Sequence, residues 1–577
     1  MKHNKLKQRK TLTFNIILII SILVLASCSN NKKTADLILT NGNVITVDKQ
    51  NTIVEAIAIS GDSIMAVGST KQLTELVGEE TKVINLKGKT VIPGFIDSHA
   101  HLIGTGEAQI NLNLRDAKNW DEVLYLVAKA AENKRRGEWI IGRGWHQEKW
   151  NPSPIENVNG YPLHHKLSAV TPDNPVILSH ASGHAIYANA KAMELANVNA
   201  GTKDPRGGEI IRDEDGNPIG VFIEEAEKLI YRKYNKFIQN RSYAEQVNDK
   251  KYAITLAMEE CLSKGITSFH DAGATFDDIR VIREMADSNL LKIRLYEMLL
   301  EDYKSLKDSI RVYQTVGYAN NHLTVQSIKL YMDGALGSRG AWLLSPYSDS
   351  HEHSGLNVTP ISDIKKIAKL AAENDFQICT HAIGDKGNRI TLDIYEEVFS
   401  SHKERDNYRW RIEHAQHLSK NDIPRFAQLG VIASMQSIHC TSDAPFVEKR
   451  LGESRAKIGA YVWQSLMKNN AIICNGTDSP VENITPLSNY YAAVTRKLKN
   501  GETFYKNQKM DRLEALKSYT INGAYAAFEE NIKGSLEVGK LADITILSKD
   551  ILTIPDDDIL DTRVAYTIVG GNVLYER

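Results

Sequence analysis

Eight short apolar runs recur between residues 91 and 480, separated by segments of helical pattern, and this alternation constrains the fold more than any other feature of the chain. The runs are VIPGFIDSHAH (91–101), GITSFHDAG (265–273), KIRLYEML (292–299), SIKLYMDGALG (327–337), QICTHAIGD (377–385), RWRIEHAQH (409–417), VIASMQS (431–437) and AIICNGTDSP (471–480). Strands buried on both faces read as continuous apolar stretches, and strand–helix alternation of this kind predicts an α/β fold, a parallel (β/α)8 TIM barrel.

Catalytic groups of such barrels lie at the C-terminal ends of strands. His99 and His101 close the first run, Lys329 lies in the fourth, His381 and His414 close the fifth and sixth, and Asp478 follows the eighth. Side chains two apart in a strand point the same way, so His99 and His101 are placed to grip one ion. Each residue also has a plainer reading. Lys329 could pair with Asp333, His381 could be a core imidazole bonded to backbone, and Asp478 could cap the turn at Pro480. Six such residues at strand ends, in this order, favour a metal site over six coincidences. His417 competes with His414 for the sixth position, and His270 and His439 are weaker candidates near the mouth.

In these runs the chain resembles the amidohydrolase superfamily and, within it, the YtcJ-like branch (amidohydrolase family 3). The motifs are VIPGFIDSHAH, GITSFHDAG, IKLYMDGALGSRGAW, THAIGD, RIEHAQ, GTDSP and GSLEVGKLADITIL, and the likeness runs from about residue 36 to the C-terminus. The resemblance implies that His99 and His101 bind one metal, that His381 and His414 bind a second, and that Lys329, carboxylated by carbon dioxide, bridges them. Asp478 then binds the first metal and moves protons, so that Lys329 and Asp478 are the catalytic residues. A lysine among cations and apolar walls has its pKa lowered, and its neutral amine can take up carbon dioxide. Imidazole and carboxylate ligands suit zinc best, with manganese, iron or cobalt as alternatives. If Lys329 stays unmodified, one ion on His99, His101, His381 and Asp478 would still serve.

The activity implied is hydrolysis of a non-peptide carbon–nitrogen bond, such as an N-acyl or N-formyl amide, by metal-activated hydroxide. The same site also runs deamination and lactone or ester hydrolysis, and a non-catalytic metal-binding or regulatory lipoprotein could keep the fold.

Outside the barrel, assigned to residues 93–535, two flanks alternate apolar and polar residues as antiparallel strands do: 36–92 and 536–577. In this family the two pieces form one small β-sandwich. The connection after the first strand, 102–262, is too long for a structureless loop and reads as an inserted subdomain over the catalytic face. Trp145, His146, His180 and His184 within it are either substrate contacts or the insertion's own core. Arg339, in SRGAW, meets either an anionic substrate group or an acidic neighbour.

Residues 1–28 carry Lys2, Lys5, Lys7, Arg9 and Lys10, an apolar stretch from Phe14 to Ala26, and LASC at 25–28. This reads as a bacterial lipoprotein signal, with cleavage before Cys28 and lipid attached to it. The expectation is an exported protein anchored to a bacterial membrane, on its periplasmic or cell-surface side, with the catalytic body in water. Across 577 residues, 70 Lys and Arg nearly balance 71 Asp and Glu, and the signal removes basic residues only. No basic surface suited to nucleic acid is encoded. The expected partners are therefore a small-molecule substrate and a membrane surface, with a homo-oligomer left open. Cys261, Cys379, Cys440 and Cys474 show no zinc or disulfide spacing and read as buried thiols.

Overall fold

Each of the eight apolar runs overlaps a strand in the computed structural model, which describes residues 33–147, 150–181, 185–205, 208–402 and 407–577. The signal segment and Cys28 lie outside the described residues, as does His184. The barrel strands are β1 (Phe95–Ala100), β2 (Ile266–Ala274), β3 (Arg294–Leu299), β4 (Leu323–Tyr331), β5 (Gln377–Ala382), β6 (Arg411–His414), β7 (Ile432–Met435) and β8 (Ile473–Asn475). Neighbours pair in parallel from β1 through to β8.

The barrel closes through loop contacts beyond β8. Thr477 N–H donates to Asp97 Oδ1 (2.9 Å), Asp478 N–H to the His99 carbonyl (2.7 Å) and His101 N–H to the Ser479 carbonyl (2.8 Å). Gly476 makes this approach feasible, because a Cβ there would lie 2.4 Å from the His99 nitrogen. Ala272, Met298 and Cys379 form a small apolar cluster of their own, while the main core includes strand residues such as Phe269, Leu295 and Ile328 together with the surrounding helices. All four described cysteines are buried and free.

Several strands are shorter than their apolar runs. β4 begins at Leu323 and ends at Tyr331, because Asp333 turns the chain by accepting from the amides of Trp342, Ile383 and Gly384 at 2.7–2.9 Å. β6 ends at His414, so His417 lies beyond it, and β8 ends three residues before Asp478.

Strands from both ends of the chain pack beside the barrel. One four-stranded sheet is formed by strands 63–68, 56–60, 37–40 and 82–85, and a six-stranded sheet joins 572–576, 564–569 and 544–547 to 90–93, 43–45 and 53–54 through the pairing of 544–547 with 90–93. Leu37, Leu39, Ile57 and Ile59 from the first sheet share a core with Val44, Val91, Ile544 and Ile568 from the second. The buried Arg294 guanidinium at the start of β3 grips Asp543 from this unit, Nε to Oδ2 at 2.6 Å and Nη2 to Oδ1 at 3.0 Å.

Between β1 and β2 the chain builds another six-stranded sheet, ordered 208–212, 218–224, 185–188, 176–180, 140–145 and 112–113. Two apolar clusters draw on it. One holds Trp120, Trp145, Trp150 and Tyr187, and the other holds Trp139, Ile177, Phe222 and Ile230. The helix Leu102–Ile110, which opens the insertion, lies on the helix Tyr243–Ser263 at the bare face of Gly106, where a Cβ would meet the Ala253 carbonyl oxygen at 1.8 Å. Among the described residues no helix is long and apolar enough to cross a membrane.

Candidate metal centre

The strand ends bring His99, His101, Lys329, His381, His414 and Asp478 into one cluster at the barrel mouth. His99 and His414 rings are 4.7 Å apart between centroids, His381 and His414 4.4 Å, and His99 and His101 5.7 Å. Asp478 Oδ1 is 3.3 Å from His101 Nε2 and 3.6 Å from His99 Nε2, and Lys329 Nζ is 3.4 Å from His99 Nε2. His101, the first cap of the helix that follows β1, is 31 % exposed, whereas the His99, Lys329, His414 and Asp478 side chains are buried. The centre therefore opens to solvent past His101.

Two of these positions are held in unusual backbone geometry. His414 has φ 74° and Asp478 φ 57°, left-handed values that cost a side-chain-bearing residue of order 1–3 kcal/mol each and persist only where the surroundings over-determine them.

Burial is the first cause of the depressed basicity of the imidazoles. It takes His99 down to about 4 and His381 to about 3, with the Lys329 charge adding to both, and it holds His414 well below its ordinary value, helped by His381 and His99. These rings are accordingly neutral near pH 7. Burial also lowers the Lys329 ammonium, as carboxylation of its amine requires.

Neutral rings become ligands only if their protons are held elsewhere, and the structure provides for this. His99 Nδ1 lies 2.5 Å from Glu413 Oε2, so its N–H donates to the carboxylate and Nε2 keeps a lone pair facing Asp478 and Lys329. His414 Nδ1–H donates to Gln436 Oε1 at 2.7 Å. Glu413 is gripped in turn by Arg411, Nε to Oε1 at 2.7 Å and Nη2 to Oε2 at 3.1 Å, all with negligible exposure. Burial alone would raise the Glu413 carboxyl, but Arg411 and His99 hold it well below the usual range.

The residues fit a divalent cation. His381 Nε2 is buried with no hydrogen-bond partner. Donor atoms of His99, His101 and Asp478 lie within 4.8 Å of one another, as do those of His414, His439 and Asp478. His439, a weaker candidate from sequence, thus joins the cluster, its Nε2 3.1 Å from Asp478 Oδ2. His417 does not. It is buried away from these donors with both ring nitrogens unpartnered, edge-on to Tyr461. His270 accepts at Nδ1 from Arg411 Nη1 (3.1 Å) below the cluster.

Of the residues assigned to substrate, Trp145 is fully buried in the insertion's core with its indole N–H donated to the Leu178 carbonyl (2.7 Å), so it is a packing residue. The His146 ring lies tilted against that of His180, 4.5 Å between centroids. Arg339 has an acidic neighbour, pairing with Asp349 at 2.9 Å.

Glu413, Arg411 and Gln436 escaped the sequence reading. The signal for the first two was present, since RWRIEH puts Arg411 and Glu413 two apart on one face of an apolar strand, where charges persist only if paired.

A parallel barrel whose C-terminal mouth gathers imidazoles, a carboxylate and a lysine defines the class of metal-dependent hydrolases. The profile of the amidohydrolase family matches residues 82–575, and the chain belongs to that family. It is 34% identical over 559 residues to Protein LONG AFTER FAR-RED 3 of Arabidopsis thaliana, covering 94% of this chain and 92% of that protein. It is 27% identical over 553 residues to an N-substituted formamide deformylase of Arthrobacter pascens, covering 94% and 98%. The crystal structure of an uncharacterized metal-dependent hydrolase from Pyrococcus horikoshii OT3 superposes with a TM-score of 0.74 at 28% identity, covering 90% of this chain and 99% of that one.

Proposed function

We propose that the protein hydrolyses a non-peptide amide, of the N-acyl or N-formyl kind, at this centre. The observation that carries the reading is the gathering of the His99, His101 and Asp478 donor atoms within 4.8 Å of one another at the barrel mouth, and the similarity to a formamide deformylase supports the bond type. His99, His101 and Asp478 would hold one divalent ion, zinc by its donor set. His381 and His414, with Lys329 if carboxylated, would hold a second. Such an ion supplies water ionised near neutral pH and polarisation of a carbonyl.

The chain's own residues do the rest. Glu413 and Gln436 keep the Nδ1 protons of His99 and His414, which points both Nε2 atoms inward. Asp478 takes the proton of the attacking water at a carboxylate oxygen and delivers it to the departing nitrogen. His439, against Oδ2, fixes the orientation of that carboxylate.

Metal content of the purified protein and of a Lys329→Ala variant, read beside turnover of an amide, lactone and amino-heterocycle panel, tests this. About two metals per chain falling to one or none, with amide turnover lost, is the expected result. A protein that takes up no metal when supplied with it overturns the reading, and turnover confined to lactones or amino-heterocycles reassigns the bond. The LASC segment supports lipid anchoring at Cys28, which fatty-acid labelling of the full chain and of Cys28→Ala would test. Label retained in the variant rules it out.

A further inference from the structure

The insertion holds a guanidinium next to the centre that the chemistry above does not use. Arg143 lies in the strand Ile140–Trp145, and its carbonyl accepts from Leu114 N–H at 2.8 Å. The next residue, Arg115, reaches across to the loop that carries Asp478, bonding Asn483 Oδ1 and the Pro480 carbonyl. The two arginine segments touch: a Cβ on Gly144 would lie 2.4 Å from Arg115 Cγ. Arg143 is thereby tied through Arg115 to the segment two to five residues beyond Asp478; burial lowers the basicity of its guanidinium, the Arg115 charge adds to this, and Tyr231 and Asp478 oppose it.

Arg143 is only partly exposed, and its guanidinium makes no hydrogen bond or ion pair with any described residue. The other interior arginines are all engaged. Arg294 has Asp543, Arg411 has Glu413, and Arg496 has the Phe504 and Tyr461 carbonyls. Arg339, the earlier candidate for an anionic substrate group, is occupied by Asp349. Withdrawing a guanidinium from water without an acceptor is unfavourable, so an unpaired one beside a reaction centre marks a place where a ligand supplies the acceptor. The Ser179 hydroxyl, level with Arg143 on the neighbouring strand, is bonded to Tyr231 at 3.0 Å.

We propose that Arg143 binds a carboxylate carried by the substrate, so that the enzyme selects amides bearing an acidic group over their neutral counterparts. A single planar fork with one charge matches a carboxylate, whereas a phosphate dianion would call on further donors, and both Nη groups of Arg115 are already turned to the loop after Asp478. This inference rests on the hydrolytic reading and names the substrate class within it.

The test pairs N-formyl- and N-acetyl-amino acids with their carboxamides on metal-loaded full chain, measuring kcat/KM and, separately, binding by calorimetry. Wild type should favour the carboxylate member by at least about thirtyfold, the loss expected when one partner of a desolvated charge pair is missing. Arg143→Gln should bring the ratio close to one, and Arg143→Lys, which keeps the charge without the fork, should fall between. A wild-type ratio near one, or a ratio that survives Arg143→Gln, overturns the proposal. If wild type turns over neither member, the hydrolytic reading fails on its own. Calorimetry then still decides the role of Arg143, because carboxylate-selective binding lost in Arg143→Gln supports it and equal or absent binding of both members refutes it.

Discussion

Glu413→Gln removes one negative charge from the middle of the barrel while keeping the shape of the side chain. Glu413 is fully buried and receives two donors at Oε2, from Arg411 Nη2 and His99 Nδ1, while Oε1 is 2.7 Å from Arg411 Nε as the other arm of the ion pair. Glutamine with its oxygen at the Oε2 position turns an NH2 group toward Arg411 Nε. Breaking a buried charge pair costs about 3–5 kcal/mol. Arg411 keeps the Ser98 carbonyl, Ser434 Oγ at 2.8 Å and His270 Nδ1, so the lower end, about 3 kcal/mol, is expected. The second effect falls on the metal. Without the carboxylate the His99 proton is held on Nδ1 by a neutral amide oxygen at most, and weakening such a partner lowers metal affinity by about 10–100-fold. Denaturant unfolding of the metal-free protein reads the first effect, and competition with a chromophoric chelator reads the second. A variant that binds metal with wild-type affinity would show that Glu413 does not orient His99. Unchanged unfolding would show that the Arg411 pair adds nothing to stability.

Asp543→Asn breaks the bidentate pair with Arg294 that joins the barrel to the terminal sheets, and unfolding should register about 3–5 kcal/mol. Burial acts to raise the Asp543 carboxyl, but Arg294 holds it below its ordinary value of 3.8; its stabilisation is therefore present above about pH 4 and lost as the pH falls further, so the variant should lose less stability than wild type over that acid range. Gly106→Ala forces a methyl group into the Ala253 carbonyl and should destabilise by about 1–3 kcal/mol or more, seen as a lower melting temperature. Trp145→Ala should cost about 3–5 kcal/mol, localised to the insertion, with limited proteolysis appearing between residues 112 and 224 while the metal content holds. Metal lost along with the insertion's protection would place Trp145 at the centre after all.

The barrel was legible because its strands are buried on both faces and cannot hide their apolar runs, and the ligand candidates because an ionisable side chain at the end of such a run has few structural excuses. His99, His101, Lys329, His381, His414 and Asp478 could all be picked from the sequence on that ground, though not their mutual distances. His417 competes with His414 along the same run, and the RIEHAQ motif favours His414; the early end of β6 and the Gln436 contact separate them. Trp145 and Arg339 could not be placed, because whether an indole fills a core or a guanidinium meets a neighbour depends on residues distant along the chain, Leu178 and Tyr187 for one and Asp349 and Arg450 for the other.

Order along the chain thus determines which residues end strands, for that is set by local periodicity and burial. Which imidazole keeps its proton on which nitrogen, and which arginine is left without a partner, are decided only when β1 meets β6 and the insertion strand meets the loop after Asp478. Those are contacts over some 300 residues of sequence, between His99 and Glu413 and between Arg115 and Asn483, and nothing in the local pattern specifies them.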